Sequence, residues 1–264
     1  MSEQKFPEVQ GGGSLILAWQ IRGKKVVIVG GGELTLSPSN QVAAGRILHC
    51  LNADANVVVV CPPYGLSPEV AYRVSQRQVT HVPRVFEPAD LDGADMVLVA
   101  VDDPAASTAI WKLCKEKRIP ANIADVPDEC DFYFGAIHRD GPLQVMVSTN
   151  GKGPRLAAII RRWIASHLPK NAGNAIESIG KLRAKLRVIA PLPEDGPKRM
   201  KWMSDVSEKY SWPQLCEMND EDMDNVLTFY AKDTVPEFDD LLAMRNGDTK
   251  LDVFEGSYGF SVGI

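Results

Sequence analysis

The sequence predicts an α/β fold: an N-terminal parallel sheet wound with helices, a small strand-helix region, and a helical C-terminal part. Three observations carry this. Short β-branched runs bounded by glycine recur in the first half, at 25–29 and 56–60; a helix-periodic segment separates them; and beyond Asn171 only helical periodicity remains, in Ile176, Ile179, Leu182 and Leu186 and then in Val226, Leu227 and Tyr230. At 264 residues and 45% hydrophobic composition the chain is long enough for one large domain or two to three small ones with real cores.

Taken in order, Lys25-Val26-Val27-Ile28-Val29 between Gly23 and Gly30 has the look of a buried parallel strand. A helix is expected from about Pro38 to Leu51, with Ser37 as N-cap, Pro38 at the first helical position and Val42, Ile47, Leu48 and Leu51 at helical spacing. Asn56-Val57-Val58-Val59-Val60 is the second strand, residues 95–101 a third, Ala105 to Lys117 a helix, and Ile119 to Ala124 a strand that ends at Asp125. Past Gly135, Leu143 to Ser148 alternates like a half-exposed strand, and the turn Thr149-Asn150-Gly151-Lys152-Gly153-Pro154 feeds an amphipathic helix from Arg155 to Leu168. One strand and one helix cannot close a core, so this region is expected to pack against a second copy in a symmetric dimer. A Pro/Asp/Gly-rich break at 191–197 divides the helices of the C-terminal part.

The β-α-β order with Gly30-Gly31-Gly32 directly after the first strand is the Rossmann arrangement, in which glycines let the backbone approach a pyrophosphate. Ordinary tight turns also use three glycines; the position after a buried strand favours dinucleotide binding. Gly30, Gly31, Gly32, Glu33, Cys61, Pro62 and Val101 are the candidate cofactor contacts. The acid expected at the end of the second strand is missing, since Cys61-Pro62-Pro63-Tyr64 stands there, and the absence of an arginine leans towards NAD over NADP.

Charge is unevenly spread under the net −5: residues 151–187 hold nine lysines and arginines against Glu177 alone, whereas 190–255 hold sixteen acids against seven bases. Such a block suits nucleic acid, an acidic partner, a polyanionic small molecule or simply a solvated helix face; the acidic overall balance argues against nucleic acid. Five cysteines, an odd number without C-x-x-C spacing, argue against a disulfide framework or zinc site and are read as reduced thiols. His49, His81, His138 and His167 are isolated, so no fixed metal site is expected. With no run of eighteen apolar residues and no basic-then-apolar leader, the reading is a cytoplasmic protein with no membrane association.

Val26 to Glu33, Val42-Ala43-Ala44-Gly45-Arg46, Asn122-Ile123-Ala124-Asp125 with Cys130 to Phe134, and Ser148-Thr149-Asn150-Gly151 with Pro154-Arg155 together resemble the fungal bifunctional precorrin-2 dehydrogenase/sirohydrochlorin ferrochelatases of siroheme synthesis, over roughly Gly13 to Tyr230. The resemblance implies a homodimer with an NAD-binding domain (14–135), a dimerisation region (136–169), a helical domain (170–264) and no methyltransferase domain. It implies NAD-dependent oxidation of precorrin-2 to sirohydrochlorin, then insertion of ferrous iron as a substrate. It makes Asp125 the general base of both steps, a residue whose sequence alone equally suits a helix or turn cap. It places the tetrapyrrole at Asn122, at the Thr149-Asn150-Gly151 turn and at Arg155, where cations and a helix start would meet its carboxylates. Asp128 and Glu129 are read as a solvated turn and Asp131 as a cap.

The chain departs from that family at Leu34 to Gln41, eight residues standing where the family runs from the glycines into the helix. Without them Gly30, Gly32 and Ala43 keep G-x-G-x-x-A spacing; with them Thr35 takes the third position, and the expectation is weakened NAD affinity with the acid/base site intact. Gly153 replaces a frequent serine, and the tail from about Gly247 has no counterpart. Two other functions fit the bare residues: another NAD-dependent oxidoreductase acting on an anion, which would not insert metal into sirohydrochlorin, and a non-catalytic NAD-sensing dimer, in which Asp125→Ala would change nothing.

Overall fold

The computed structural model describes residues 11–32 and 39–247, so Glu33, Ser37 and Pro38 lie outside the described residues. The chain divides into two compact units. Of the described residues, one takes those up to Gly135 and returns for Ser148–Pro154; the other takes Ala136–Val147 and those from Arg155.

The first unit is a five-stranded parallel sheet of order β3-β2-β1-β4-β5, built from β1 (Lys25–Val29), β2 (Asn56–Val60), β3 (Thr80–Val82), β4 (Met96–Val99) and β5 (Ala121–Ile123). Because side chains alternate across a strand, β1 feeds two cores. Val26 and Ile28 pack with Val57, Val59 and with Ala44 and Ile47 of α1 (Ser39–Leu51); Val27 and Val29 pack with Val97, Val99 and with Ile110 and Cys114 of α3 (Pro104–Lys117). Both faces being covered explains why β1 and β4 read as unbroken apolar runs. Asp103 caps α3, accepting from the N–H groups of Ala105 (2.9 Å) and Ala106 (3.1 Å), and Arg118 in the left-handed region (φ 57°) ends it.

The structure adds elements that sequence periodicity does not announce: α2 (Pro68–Ser75), capped by Ser67, and the edge strand β3. It also corrects the reading of the region after Gly135. There β6 (Ala136–Asp140) pairs antiparallel with β7 (Leu143–Val147), so the second unit begins with a hairpin rather than a single strand.

The remainder of this unit is helical: α4 (Pro154–His167), α5 (Ala172–Ile189), α6 (Gly196–Lys209), α7 (Trp212–Glu217), α8 (Asp220–Leu227) and α9 (Phe238–Arg245). Its core gathers Leu182, Leu186, Trp202, Val206, Met223, Val226 and Leu241. Two of its polar side chains are satisfied, Trp202 Nε1 donating to the Thr234 carbonyl (2.8 Å) and the Tyr210 hydroxyl to that of Pro236 (2.9 Å), whereas the buried Tyr230 hydroxyl has no partner among the described residues. The fully buried Asp222 is held by Arg245, whose Nε lies 2.9 Å away, and accepts from the Asn219 N–H. Removing one partner of such a pair would leave a buried charge uncompensated.

Candidate active site

Strand order reverses between β1 and β4, and ligands of open α/β sheets bind outside the carboxyl ends of the strands at such a point. A cavity of about 470 Å³ opens there, walled by Gly30, Gly31, Gly32, Cys61, Pro62, Tyr64 and Val101, with Phe86, Ile110 and Leu113 behind them. Gly30 has φ 103°, and a Cβ on it would stand 2.1 Å from the Ala100 oxygen; one on Gly31 would stand 2.4 Å from the Gly65 oxygen. Neither position admits a side chain, and the bare backbone is left facing the cavity.

Cys61 occupies the place of the usual ribose-binding acid. Its thiol is buried, 3.7 Å from His81 Nε2, and burial pushes its pKa up to about 11, so it presents a neutral group. Among the described residues no lysine or arginine lines the cavity. Largely apolar walls, a side-chain-free glycine floor and, among the described residues, the carboxylates of Asp102 and Asp103 with no cation for a 2′-phosphate fit an NAD-type dinucleotide.

Next to β4, Asp125 follows β5 in the left-handed region (φ 60°), a conformation that aspartate tolerates better than most residues. The Val99 carbonyl at the end of β4 accepts from the Ala124 N–H (2.9 Å) and from Arg46 Nη1 (2.9 Å), which brings the guanidinium of α1 beside Asp125. Burial lowers the Arg46 pKa from its ordinary value, while the neighbouring Cys130, Asp125 and Cys50 act in the opposite direction. The Asp125 side chain is exposed and, among the described residues, neither caps a backbone N–H nor closes an ion pair.

The segment after Asp125 is stitched back onto β5. Asn122, 4% exposed, donates through Nδ2 to the Phe132 carbonyl (2.7 Å) and the Cys130 sulfur (3.4 Å), while its Oδ1 has no partner. Asp131 accepts from the Ala121 N–H (2.9 Å) and pairs with Lys115, so it anchors the start of β5 rather than capping the Phe132–Phe134 segment. Glu129 is half-buried, not solvated as its turn suggested: one oxygen accepts from the Thr108 hydroxyl (2.7 Å) and the other is buried without a partner. Asp128 is exposed.

The Thr149-Asn150-Gly151 turn belongs to this same unit. Asn150 Nδ2 donates to the Gly12 carbonyl (2.9 Å), the Ser14 hydroxyl donates to Asn150, and the Gly153 N–H donates to Thr149 (3.2 Å). A Cβ on Gly151 would touch the Tyr133 ring at 4.0 Å, and the Tyr133 hydroxyl donates to the Pro127 carbonyl (3.2 Å). Tyr133 thus links the turn to the loop of Asp125, joining two motifs well separated in sequence. Arg155, exposed at the start of α4, falls in the other unit. Arg46 is the neighbour that sequence reasoning passed over as a functional group; the signal was its place in the Val42–Arg46 motif.

Fold and site together define a dinucleotide-binding α/β protein with an exposed carboxylate, Asp125, at the end of β5 in the same sheet. An NAD(P)-binding family model matches residues 17–136, and the central and C-terminal models of sirohaem biosynthesis proteins match 140–167 and 169–236. The chain is 52% identical over 231 residues to the siroheme biosynthesis protein met8 of Schizosaccharomyces pombe, covering 87% of this chain and 84% of that one. It is 30% identical over 221 residues to the siroheme biosynthesis protein of the same name in Saccharomyces cerevisiae, covering 72% and 80%. It belongs to this fungal siroheme biosynthesis family. It spans about a third of the bacterial siroheme synthases, such as that of Thioalkalivibrio sulfidiphilus (33% identity, 35% of that protein covered). Among solved structures, SirC, a precorrin-2 dehydrogenase, shares the fold at TM-score 0.58 and 18% identity, over 89% of this chain and all of that one.

Proposed function

We infer that this chain is a precorrin-2 dehydrogenase and sirohydrochlorin ferrochelatase: it oxidises precorrin-2 to sirohydrochlorin with NAD and then inserts ferrous iron to give siroheme. The observation that carries the reading is the exposed Asp125 carboxylate, without an ion-pair partner among the described residues, after β5, with β4 between it and the strand that the glycines follow. NAD, when bound at Gly30 to Gly32, Cys61, Pro62 and Val101, supplies the hydride acceptor; Glu33 is assigned to the same contacts by its place in the motif. Asp125 takes the proton released in oxidation, and in metal insertion it receives protons displaced from pyrrole nitrogens. Arg46 keeps a fixed positive charge beside that carboxylate. By their places in the shared motifs Asn122, Thr149, Asn150 and Gly151 are assigned to the substrate, and Arg155 to its carboxylates.

Domain roles follow the same reading: residues 14–135 bind NAD, 136–169 dimerise and 170–264 form the helical domain. Support for the homodimer comes from α4, where Leu156, Ile159, Ile160 and Trp163 form an exposed stripe at i, i+3, i+4 and i+7. Burying such side chains is worth about 1.5–3 kcal/mol each, which a solvated monomer forgoes. The place of work is the cytoplasm; no described helix is long and apolar enough to cross a membrane.

The test is Asp125→Asn, assayed by the absorbance of precorrin-2 oxidation with NAD and then with ferrous iron added. Both rates are expected to fall by about 10²-fold or more, the usual contribution of a positioned base, with the melting temperature unchanged because the side chain holds none of the described residues in place. Undiminished rates would refute the assignment.

A further inference from the structure

A groove of about 680 Å³ runs between α5 and α6, built from residues of the helical unit alone. Its floor is apolar, with Ile179, Leu186, Met200 and Met203, and its rim carries Arg183, Arg187 and Arg199 against the single acid Glu208. Arg199 is occupied, its Nη1 donating to the carbonyls of Ala190 and Leu192. Arg183 and Arg187 are not: one helical turn apart, they have no carboxylate within 4.0 Å among the described residues.

Two facts make that costly arrangement informative. Like charges at i and i+4 repel, and partners are close by, since in this unit Lys185 reaches Asp224 (2.6 Å), Lys201 reaches Asp205 and Asp233 (3.1 Å each) and Lys209 reaches Glu237 (2.7 Å). Gly180 stands on the same helical face, three residues before Arg183 and seven before Arg187. A Cβ there would meet nothing within 4 Å, so no packing demands a glycine that weakens the middle of an eighteen-residue helix. A ligand lying along α5 gives both features a use.

We propose that this groove binds a polycarboxylated macrocycle, its apolar body on Met200 and Met203 and two of its carboxylates on Arg183 and Arg187. The volume is that of a small-molecule site, and paired guanidinium groups over an apolar floor match a body that is apolar in the plane and anionic at its margin. The choice of a tetrapyrrole as that body rests on the reading proposed above. The site would retain macrocycle close to the enzyme between the two reactions or after the second.

Uroporphyrin, a stable octacarboxylate macrocycle, is the probe, titrated by fluorescence against the full chain at fixed ionic strength. Two classes of site per chain are expected for the wild type. Arg183→Gln with Arg187→Gln should remove one class, weakening it by about tenfold per arginine, as loss of charged hydrogen bonds does. Gly180→Leu, which keeps every charge and favours the helix, should obstruct the same class. Turnover of precorrin-2 should stay as it was in both variants, and the melting temperature should not fall in either, since each removes a feature that weakens the helix. Unchanged stoichiometry and affinity in the double variant would overturn the proposal, and full retention in Gly180→Leu would overturn its placement. Failure of the catalytic reading is separable: full activity of Asp125→Asn leaves the arginine-dependent class intact, whereas loss of this proposal leaves the Asp125 result untouched.

Discussion

Asp90 ties the sheet unit to pH. Arg84 grips it with both terminal nitrogens, each at 2.8 Å, and the Glu87 N–H adds a third bond at 2.9 Å. The Arg84 hydrogen bonds hold the Asp90 carboxyl below its ordinary value, against the opposing effect of burial. A folded pKa below the unfolded one means the stabilisation is complete above the unfolded value of about 4 and is lost as pH falls further. The melting temperature followed by circular dichroism is therefore expected to drop more steeply below about pH 4 in the wild type than in Asp90→Asn, whose midpoint at neutral pH starts lower. Equal slopes would show that Asp90 does not govern this limb. Asp125 behaves differently because no described residue grips it; its substitution should be felt in turnover and not in stability.

At the scale of elements, the dimer reading makes its own prediction. Leu156→Glu with Trp163→Glu should convert a dimer to a monomer by sedimentation velocity, weakening association by about 10²-fold or more, while each chain stays folded because Trp163 is 61% exposed. A monomeric wild type, or a dimer indifferent to both charges, would remove α4 from the interface. The elements also show what the residues disclose by themselves. β1 and β4 are buried on both faces, so their apolar runs were legible; β3 is three residues at a sheet edge, and Thr80-His81-Val82 has no period to detect. β6 was hidden for another reason. Its residues, Ala136-Ile137-His138-Arg139-Asp140, are nearly all half-buried, so the alternation that marks β7 is blurred, and only pairing with β7 reveals the strand. In the site, Asp125 was legible through its motif, but the Glu129–Thr108 bond joins residues 21 apart and the link through Tyr133 depends on a turn that no periodicity brings near.

For the whole molecule, the eight-residue departure at Leu34 to Gln41 sets the cofactor question. Helix α1 begins at Ser39, inside that stretch, so its last three residues are already helical. Removing Leu34 to Gln41 restores G-x-G-x-x-A spacing and should tighten NAD several-fold in a fluorescence titration, since a helix start set against the glycines favours negative charge. Equal affinities would show that the longer connection serves the dinucleotide as well. The turn Ser148–Pro154 has a broader effect. The backbone passes from one unit to the other after Gly135, again after Val147 and again after Pro154, so no single cut releases either half. A fragment ending at Gly135 forfeits the amide that Asn150 lends to Gly12, and with it the loop's closure over Tyr133. Trading one half for a foreign domain would require three simultaneous splices, so the two units are inherited together rather than exchanged singly.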